Sequence, residues 1–422
     1  MEGVGRQRHV EGDDVGPGDE FVQRDEIVGE VVARGRDDGA GRGGVGGVVA
    51  VGRDDGAGRG GVGGGQRAGP GGQGGGGEAG VITAAEWQDL VNWSFWGGLM
   101  TGDYSRMNTY WGLNTSKRVA VKTLDADGNP VKCLPVKLYN GENCVWETIT
   151  DNEGEASLWL AVTNIQDPVS ADNCRVVING EEQPGAPSLW AWDSEEAVVN
   201  EYTVPSNGEL SKTVDIAFIV DATGSMGDEI SFLKSDLQSI LSKVSEMEAD
   251  RTVFTGTVFY RDEDGDEYLT KFSPFTTDIA STMDFIGEQY ADGGGDFPEA
   301  VHSALNAALS DLQWHTSAYS KMAFLILDAP AHVDHQGVVE SLQKSVTEFA
   351  ARGIKIIPVF CSSYEKECEF MCRQFAILTG GTYVFLTNDS GVGGEHIEAS
   401  VGDYQVEHLN TLIVRLITRY IQ

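Results

Sequence analysis

The chain has 422 residues, and its 30 Lys and Arg against 65 Asp and Glu give a formal net charge of −35 at pH 7. Such a charge repels nucleic acid and anionic membranes, so we expect neither as a partner. We find no apolar stretch of membrane-spanning length and no signal-peptide core near the N terminus. The compartment stays open, with an extracellular or cell-envelope location favoured.

The first 80 residues differ in composition from the rest of the chain. They contain 29 of the 55 glycines, and the 13-residue segment Gly35–Gly47 recurs identically at Gly52–Gly64. A segment with so few large apolar residues cannot bury enough surface to offset its conformational entropy. We therefore predict a disordered, glycine-rich extension over residues 1–80.

Residues 81–115 are rich in aromatic side chains and are predicted to be mainly helical. The sequence Thr83-Ala84-Ala85-Glu86 fits a capping box that would open a helix. The tryptophans after it would be costly to expose to water, so we expect this segment to pack on the domain that follows.

Residues 116–208 carry short apolar runs separated by turn sequences, which favours a β-sandwich. The turns Asp125–Pro130 and Thr150–Ala156 are the most distinctive of these. This pattern resembles the transthyretin-like, carboxypeptidase-regulatory group of Ig-like domains. An Ig-like sandwich is therefore predicted in front of the C-terminal domain.

Oxygen-bearing side chains follow the mostly apolar run Val214–Val220, which is typical of a buried parallel strand. Asp221, Thr223 and Ser225 stand at alternate positions directly after it, and a helical pattern begins at Asp228. Carboxylate and hydroxyl oxygens suit a hard cation such as Mg²⁺. Open α/β sheets bind their ligands at this edge.

Two later loops deliver further aspartates to the same predicted edge. Asp296 lies in the glycine loop Gly293–Glu299, and Asp328 follows the apolar run Lys321–Leu327. Apolar runs alternate with helical patterns through the rest of the chain, so a doubly wound, Rossmann-like α/β domain is predicted over residues 212–422.

These loops resemble those of von Willebrand factor A domains, whose first loop reads D-x-[ST]-x-S. The sequences G-G-G-D-x-P-E and D-A-P-x-H resemble those of the bacterial and protist branch of that family. The resemblance implies a metal-ion-dependent adhesion site that holds Mg²⁺, or Mn²⁺ or Ca²⁺ in its place. Thr223, Ser225 and Asp296 would bind the ion directly, while Asp221 and Asp328 would bind it directly or through water.

The function implied by this resemblance is non-enzymatic protein binding, in which the cation contacts an acidic residue of the partner. Asp296 stands where the family usually has threonine. An additional carboxylate should hold the ion more tightly and leave less positive charge for the partner.

Two alternatives remain open. Ser225, Asp328 and either His332 or His396 follow the order of a hydrolase triad, although Thr223 breaks the nucleophile-elbow motif. The cation could instead be purely structural, with the β-sandwich binding the partner.

Two other polar segments receive ordinary interpretations. Asp262–Glu267 does not fit an EF-hand, so we expect a solvated hairpin tip. His332 and His335 lack a third ligand at fitting spacing, so solvated histidines are favoured over a zinc site.

Overall fold

The computed structural model describes most of the chain after the glycine-rich extension. The described ranges are 78–163, 170–194, 196–227, 229–247, 250–263, 266–295, 297–361, 365–391 and 398–422. The prediction of disorder over residues 1–80 thus falls almost entirely outside them. Within these ranges, no helix has the length and apolar character that crossing a membrane requires.

The aromatic segment begins with a strand, not with a helix. β1 (Thr83–Trp87) precedes helices α1 (Trp93–Thr101) and α2 (Met107–Trp111). The capping box predicted at Thr83 was therefore wrong. Ala84 and Ala85 are fully buried where β1 pairs with a strand near the C terminus. This long-range pairing outweighs the local helical preference of the segment.

Residues 118–203 form two small sheets. The strands are β2 (Arg118–Leu124), β3 (Pro135–Asn140), β4 (Asn143–Ile149), β5 (Glu155–Trp159), β6 (Cys174–Ile178), β7 (Glu181–Glu182) and β8 (Val199–Thr203). One sheet has the order β5-β2-β8 and the other β4-β3-β6-β7. Val121 of the first and Leu138 of the second belong to one buried cluster. The Ig-like assignment of this region stays a prediction.

An eight-stranded sheet forms the centre of the C-terminal region. Its further strands are β9 (Thr213–Asp221), β10 (Thr252–Tyr260), β11 (Thr270–Thr276), β12 (Ser320–Leu327), β13 (Ile354–Phe360), β14 (Tyr383–Leu386) and β15 (Glu407–His408). The order is β11-β10-β9-β12-β13-β14-β1-β15. The five strands from β10 to β14 in that order are parallel, while β11 and β1 are antiparallel to their neighbours. The sheet thus includes a strand from outside residues 212–422.

Helices alternate with these strands along the chain. They are α3 (Ile230–Met247), α4 (Ile279–Glu288), α5 (Val301–Ser310), α6 (Val338–Ala351), α7 (Lys366–Thr379) and α8 (Leu409–Ile421). All eight residues of β12 are buried, as a parallel strand covered on both faces requires. The predicted mixed α/β architecture with a central sheet is confirmed.

The aromatic segment packs on both neighbouring regions. Trp93 lies against Trp159 of β5, with ring centroids 5.7 Å apart, while Trp96 stacks on Phe370 of α7 at 6.2 Å. A buried ion pair adds to this second contact: Arg373 of α7 holds both carboxylate oxygens of Asp89, at 3.0 and 2.6 Å. The expected contact with the region that follows is thus present, and α7 provides a second one.

Candidate metal centre

The two loops that follow β9 and β12 leave the same edge of the central sheet. The two strands are parallel neighbours, with Val220 paired to Ile326. Asp221 ends β9, and Asp328 comes directly after β12. Both aspartates are buried, at 0% and 3% exposure. The sheet register therefore brings these two predicted residues to one place.

The first loop folds around the carboxylate of Asp221. The backbone N–H and the hydroxyl of Thr223 both donate to Asp221 Oδ1, at 2.8 and 2.7 Å. Aspartate commonly closes a turn in this way two residues along the chain. The hydroxyl oxygens of Thr223 and Ser225 are 3.1 Å apart, and Ser225 is exposed. Three of the predicted metal-binding residues thus form one group.

The second loop contributes a glutamate that the sequence interpretation missed. Gly224 N–H donates to Gly293 O at 3.0 Å, so the two loops are in contact. Gly294 has a φ of +68°, and a Cβ there would lie 2.9 Å from Glu299 Oε1 and 3.0 Å from Thr223 Cβ. Glu299 is 3% exposed. Asp296 lies outside the described residues, so its predicted role stays a prediction.

We call Asp221, Thr223, Ser225, Glu299 and Asp328 the carboxylate centre. Burial raises the pKa of Asp221 to about 6 and that of Asp328 to about 8. Burial also raises the pKa of Glu299 to about 9, and repulsion from Asp221 is the next cause. The three acidic groups resist ionisation because burial removes water from their charged forms and because the charged forms repel one another.

The oxygen atoms of this centre fit a hard divalent cation. Three buried carboxylate oxygens of this centre find no hydrogen-bond partner among the described residues: Asp221 Oδ2, Glu299 Oε2 and Asp328 Oδ1. Buried polar atoms without partners are uncommon in folded proteins. Carboxylate and hydroxyl oxygens are the ligands that Mg²⁺, Mn²⁺ and Ca²⁺ prefer.

The groups of the hydrolase alternative are arranged differently from a catalytic triad. The Ser225 hydroxyl lies 3.1 Å from the Thr223 hydroxyl, and its interaction with Asp328 partly offsets the rise that burial causes in the pKa of that carboxyl. His332 Nε2 bonds Asp262 Oδ1 at 2.8 Å, not the serine. His396, the other triad candidate, lies outside the described residues.

A second polar group lies on the same edge of the sheet, and we call it the histidine cluster. Its members are Asp262, Glu263, His302, His332, Asp334 and His335. His332 and Asp262 form a buried pair, and the rings of His332 and His335 are stacked with centroids 4.4 Å apart. Glu263 bonds His302 at 3.0 Å and approaches His335 Nδ1 at 3.4 Å.

This cluster corrects two predictions. His332 and Asp262 are each 2% exposed, so the solvated state predicted for these two was wrong. His335, Glu263 and Glu267 are exposed, as predicted. A third potential ligand is also present, since the ligand atoms of His332, Asp334 and His335 lie within 4.8 Å of one another. The sequence His332-Val333-Asp334-His335 already contained all three residues, but Asp334 was not considered as a ligand.

An open groove of about 1030 Å³ lies beside the carboxylate centre. Phe297 and Pro298 of the second loop line it together with Pro330 and Val333 of the third, and α2 supplies the opposite wall. Tyr110 and Phe297 are 55% and 45% exposed. A mostly apolar surface, with Arg106, Glu365 and Glu367 also in its lining, therefore borders the candidate metal ligands.

Residues 215–388 match the family model of the von Willebrand factor A domain. One curated relative, from Acanthamoeba polyphaga mimivirus, is described as an ariadne-like RING finger protein. It is 34% identical over 119 residues, which are 28% of this chain and 11% of that protein. The alpha-protein kinase vwkA of Dictyostelium discoideum is 29% identical over 122 residues, 29% of this chain and 19% of that protein. This chain thus spans less than a fifth of either relative.

Among solved structures, the pilus adhesin SpaC of Lactobacillus rhamnosus GG, in its open conformation, is similar at 12% identity and a TM-score of 0.36. The match covers 50% of this chain and 30% of that one. The family match covers β10 to β14 and most of β9, whereas β1 and β15 of the same sheet lie outside it. Residues 215–388 of this chain are therefore similar to a von Willebrand factor A domain.

Proposed function

We propose that the carboxylate centre binds one divalent cation, Mg²⁺ before Mn²⁺ or Ca²⁺. The bound cation would then contact an acidic residue of a protein partner. The observation that carries this proposal is the set of three unpartnered, buried carboxylate oxygens on Asp221, Glu299 and Asp328. Buried carboxylates are stable in proteins when a cation or a metal compensates their charge. The protein would then act by binding, without catalysis.

The residues of the centre have distinct roles in this proposal. Asp221 and Asp328 supply negative charge from the two strand ends, and Thr223 and Ser225 supply hydroxyl oxygens. Glu299 would hold the ion or a water bound to it. Asp296, which the family resemblance implies as a direct ligand, would add one more carboxylate. The bound cation supplies the positive charge that attracts a carboxylate of the partner.

The surroundings of the centre favour a partner that is both acidic and apolar. Ser225 is exposed, so this side of the centre is open to another molecule. The apolar groove next to it offers Tyr110 and Phe297 to a bulky side chain. An acidic residue beside an aromatic or aliphatic one would match both features.

Titration of the full-length chain with MgCl₂, followed by calorimetry, tests the metal site. We expect one binding event in the wild type and none in Asp221→Asn. The matched control is Asp236→Asn. Asp236 is another buried carboxyl of the C-terminal region, and its Oδ1 accepts a hydrogen bond from the Gly80 N–H at 2.6 Å. An unchanged titration for Asp221→Asn would reject the site.

A separate measurement tests recognition of the partner's carboxylate. In Mn²⁺-loaded protein, N-acetylaspartate amide should displace metal-bound water and lower the water proton relaxation rate, whereas N-acetylasparagine amide should not. If metal binds but both probes are inert, the cation is structural and the β-sandwich becomes the binding region to test.

A further inference from the structure

We propose that His332, Asp334 and His335 form a second metal site, separate from the carboxylate centre, for Zn²⁺ or a similar transition metal. The local backbone brings these residues together. His335 N–H donates to His332 O at 3.0 Å, which closes a turn over residues 332–335. Such a turn brings residues three positions apart close together. Two imidazoles and one carboxylate give a mixed nitrogen and oxygen set, which Zn²⁺ accepts and Mg²⁺ does not prefer.

The distances in this group are close to those of a metal site. Ligand atoms of the three side chains lie within 4.8 Å of one another. Around a tetrahedral Zn²⁺ with bonds of about 2.0–2.1 Å, neighbouring ligand atoms are about 3.4 Å apart. Side-chain rotations that move each atom by about an ångström would therefore complete the site. His335 is exposed and can make such a movement.

Neighbouring carboxylates already orient both imidazoles. Asp262 Oδ1 accepts a 2.8 Å hydrogen bond from His332 Nε2, and both residues are buried. An ionised carboxylate accepts hydrogen bonds only, so the ring proton is on Nε2 and the lone pair on Nδ1 is available. Histidines that bind metals usually have a carboxylate in this position. Glu263 Oε2, 3.4 Å from His335 Nδ1, is placed to do the same for the second ring.

The charges around the group also favour a cation. The cluster contains three carboxylates, on Asp262, Glu263 and Asp334, and its other members are imidazoles. Arg261 is next in sequence, but its Nη2 donates to Tyr290 O at 3.0 Å. Three protein ligands leave a fourth position for water or a partner's side chain, as in zinc sites with an open coordination position.

This site would connect two loops of the C-terminal region. His332 follows Asp328 by four residues, and Asp262 follows β10 by two. A metal there would hold the loop that carries Asp328 against the loop after β10. The two sites would therefore share one loop while using different residues and different ions.

Binding of Co²⁺ and Zn²⁺ to the full-length chain, with Mg²⁺ present at saturation, tests the proposal. We expect one equivalent of Co²⁺ to give the visible absorption bands of a tetrahedral complex, and Zn²⁺ to abolish them. His335→Ala should weaken Zn²⁺ binding at least tenfold, and Asp262→Asn should weaken it about 10–100-fold. Exposed His408 provides the matched control, His408→Ala, with unchanged affinity.

The second outcome of this experiment separates the two sites. His335→Ala should keep its Mg²⁺ titration, and Asp221→Asn should keep its Co²⁺ spectrum. Equal Zn²⁺ affinity in the wild type and in His335→Ala would overturn the proposal. So would a spectrum of octahedral Co²⁺ only, because the cluster would then be a hydrogen-bonded network without a metal.

Discussion

Two groups of buried acidic residues in this protein differ in how their charge is balanced. Asp89 and Glu369 lie next to Arg373, which donates two hydrogen bonds to Asp89 and approaches Glu369 at 3.5 Å. In the carboxylate centre, Asp221 and Asp328 have hydroxyls as neighbours and raised pKa values. The first group contains its own cation, whereas in our proposal the second takes one from solution. Burial of charge would thus be structural in one place and a means of binding in the other.

The largest expected effect concerns the group with the internal cation. Arg373→Met would leave Asp89 buried without its counter-charge, while Glu369 would keep only Lys366 among the described residues, at 3.0 Å. We therefore expect the free energy of unfolding to fall by about 3–5 kcal/mol. Urea denaturation of the full-length chain measures this. Arg415→Met is the control, since its ion pairs with Glu86 and Glu407 are partly exposed and contribute about 1 kcal/mol or less. Equal losses in the two variants would contradict the comparison.

The second prediction concerns the cation that we propose for the carboxylate centre. With free Mg²⁺ at ten to a hundred times the dissociation constant, the chain should gain about 1.4–2.7 kcal/mol in free energy of unfolding. EDTA should remove this gain, and Asp221→Asn should never show it. Asp236→Asn should respond to Mg²⁺ as the wild type does. A gain in Asp221→Asn equal to the wild-type gain would place the stabilising ion elsewhere.

The third prediction concerns pH. In the metal-free protein, burial raises the pKa of Asp328 to about 8 and that of Glu299 to about 9, against about 4 when unfolded. A raised pKa means that the folded state binds the proton more tightly. The stability from these groups is therefore fully present below about pH 4 and is lost as the pH rises through 8 to 9.

Mg²⁺ should oppose that loss, because it stabilises the ionised carboxylates. Its stabilising effect should therefore grow between pH 5 and 9, and binding near pH 7 should release protons. Calorimetry in two buffers of different ionisation enthalpy measures the number released. A Mg²⁺ effect that is constant over this pH range would contradict the raised pKa values.

The smallest expected effect concerns the number of carboxylates around the ion. Asp296→Thr removes one negative charge, so Mg²⁺ should bind more weakly and N-acetylaspartate amide more strongly once the metal is saturating. Mn²⁺ relaxation measures both affinities. If the variant loses metal and probe together, Asp296 is an indispensable ligand and the argument from charge fails.

The strand and loop positions of the carboxylate centre could be predicted because they depend on local sequence. Val214–Val220 has the composition of a buried strand, and polar oxygens follow it directly. The register of β9 and β12 then brings Asp221 and Asp328 together. Glu299 was missed because its approach to Thr223 depends on the fold of the glycine loop around Gly294.

Features that depend on distant contacts could not be predicted from the pattern alone. The buried state of His332 depends on Asp262, which lies 70 residues earlier. Similarly, Thr83–Glu86 satisfies a capping-box pattern, but its pairing with β14 is decided by residues near the other end of the chain. Alanine favours a helix locally and threonine a strand, and tertiary packing selects the strand.

The position of β1 also has a consequence for folding during synthesis. Thr83 hydrogen-bonds Thr387, 304 positions later, so β1 emerges from the ribosome long before its partner strand exists. At about 5–20 residues per second, the delay is about 15 to 60 s. The strands β9 to β13 can assemble in that time, before β14 is made. Throughout the delay β1 has no strand to pair with, and an unpaired strand invites association with other chains.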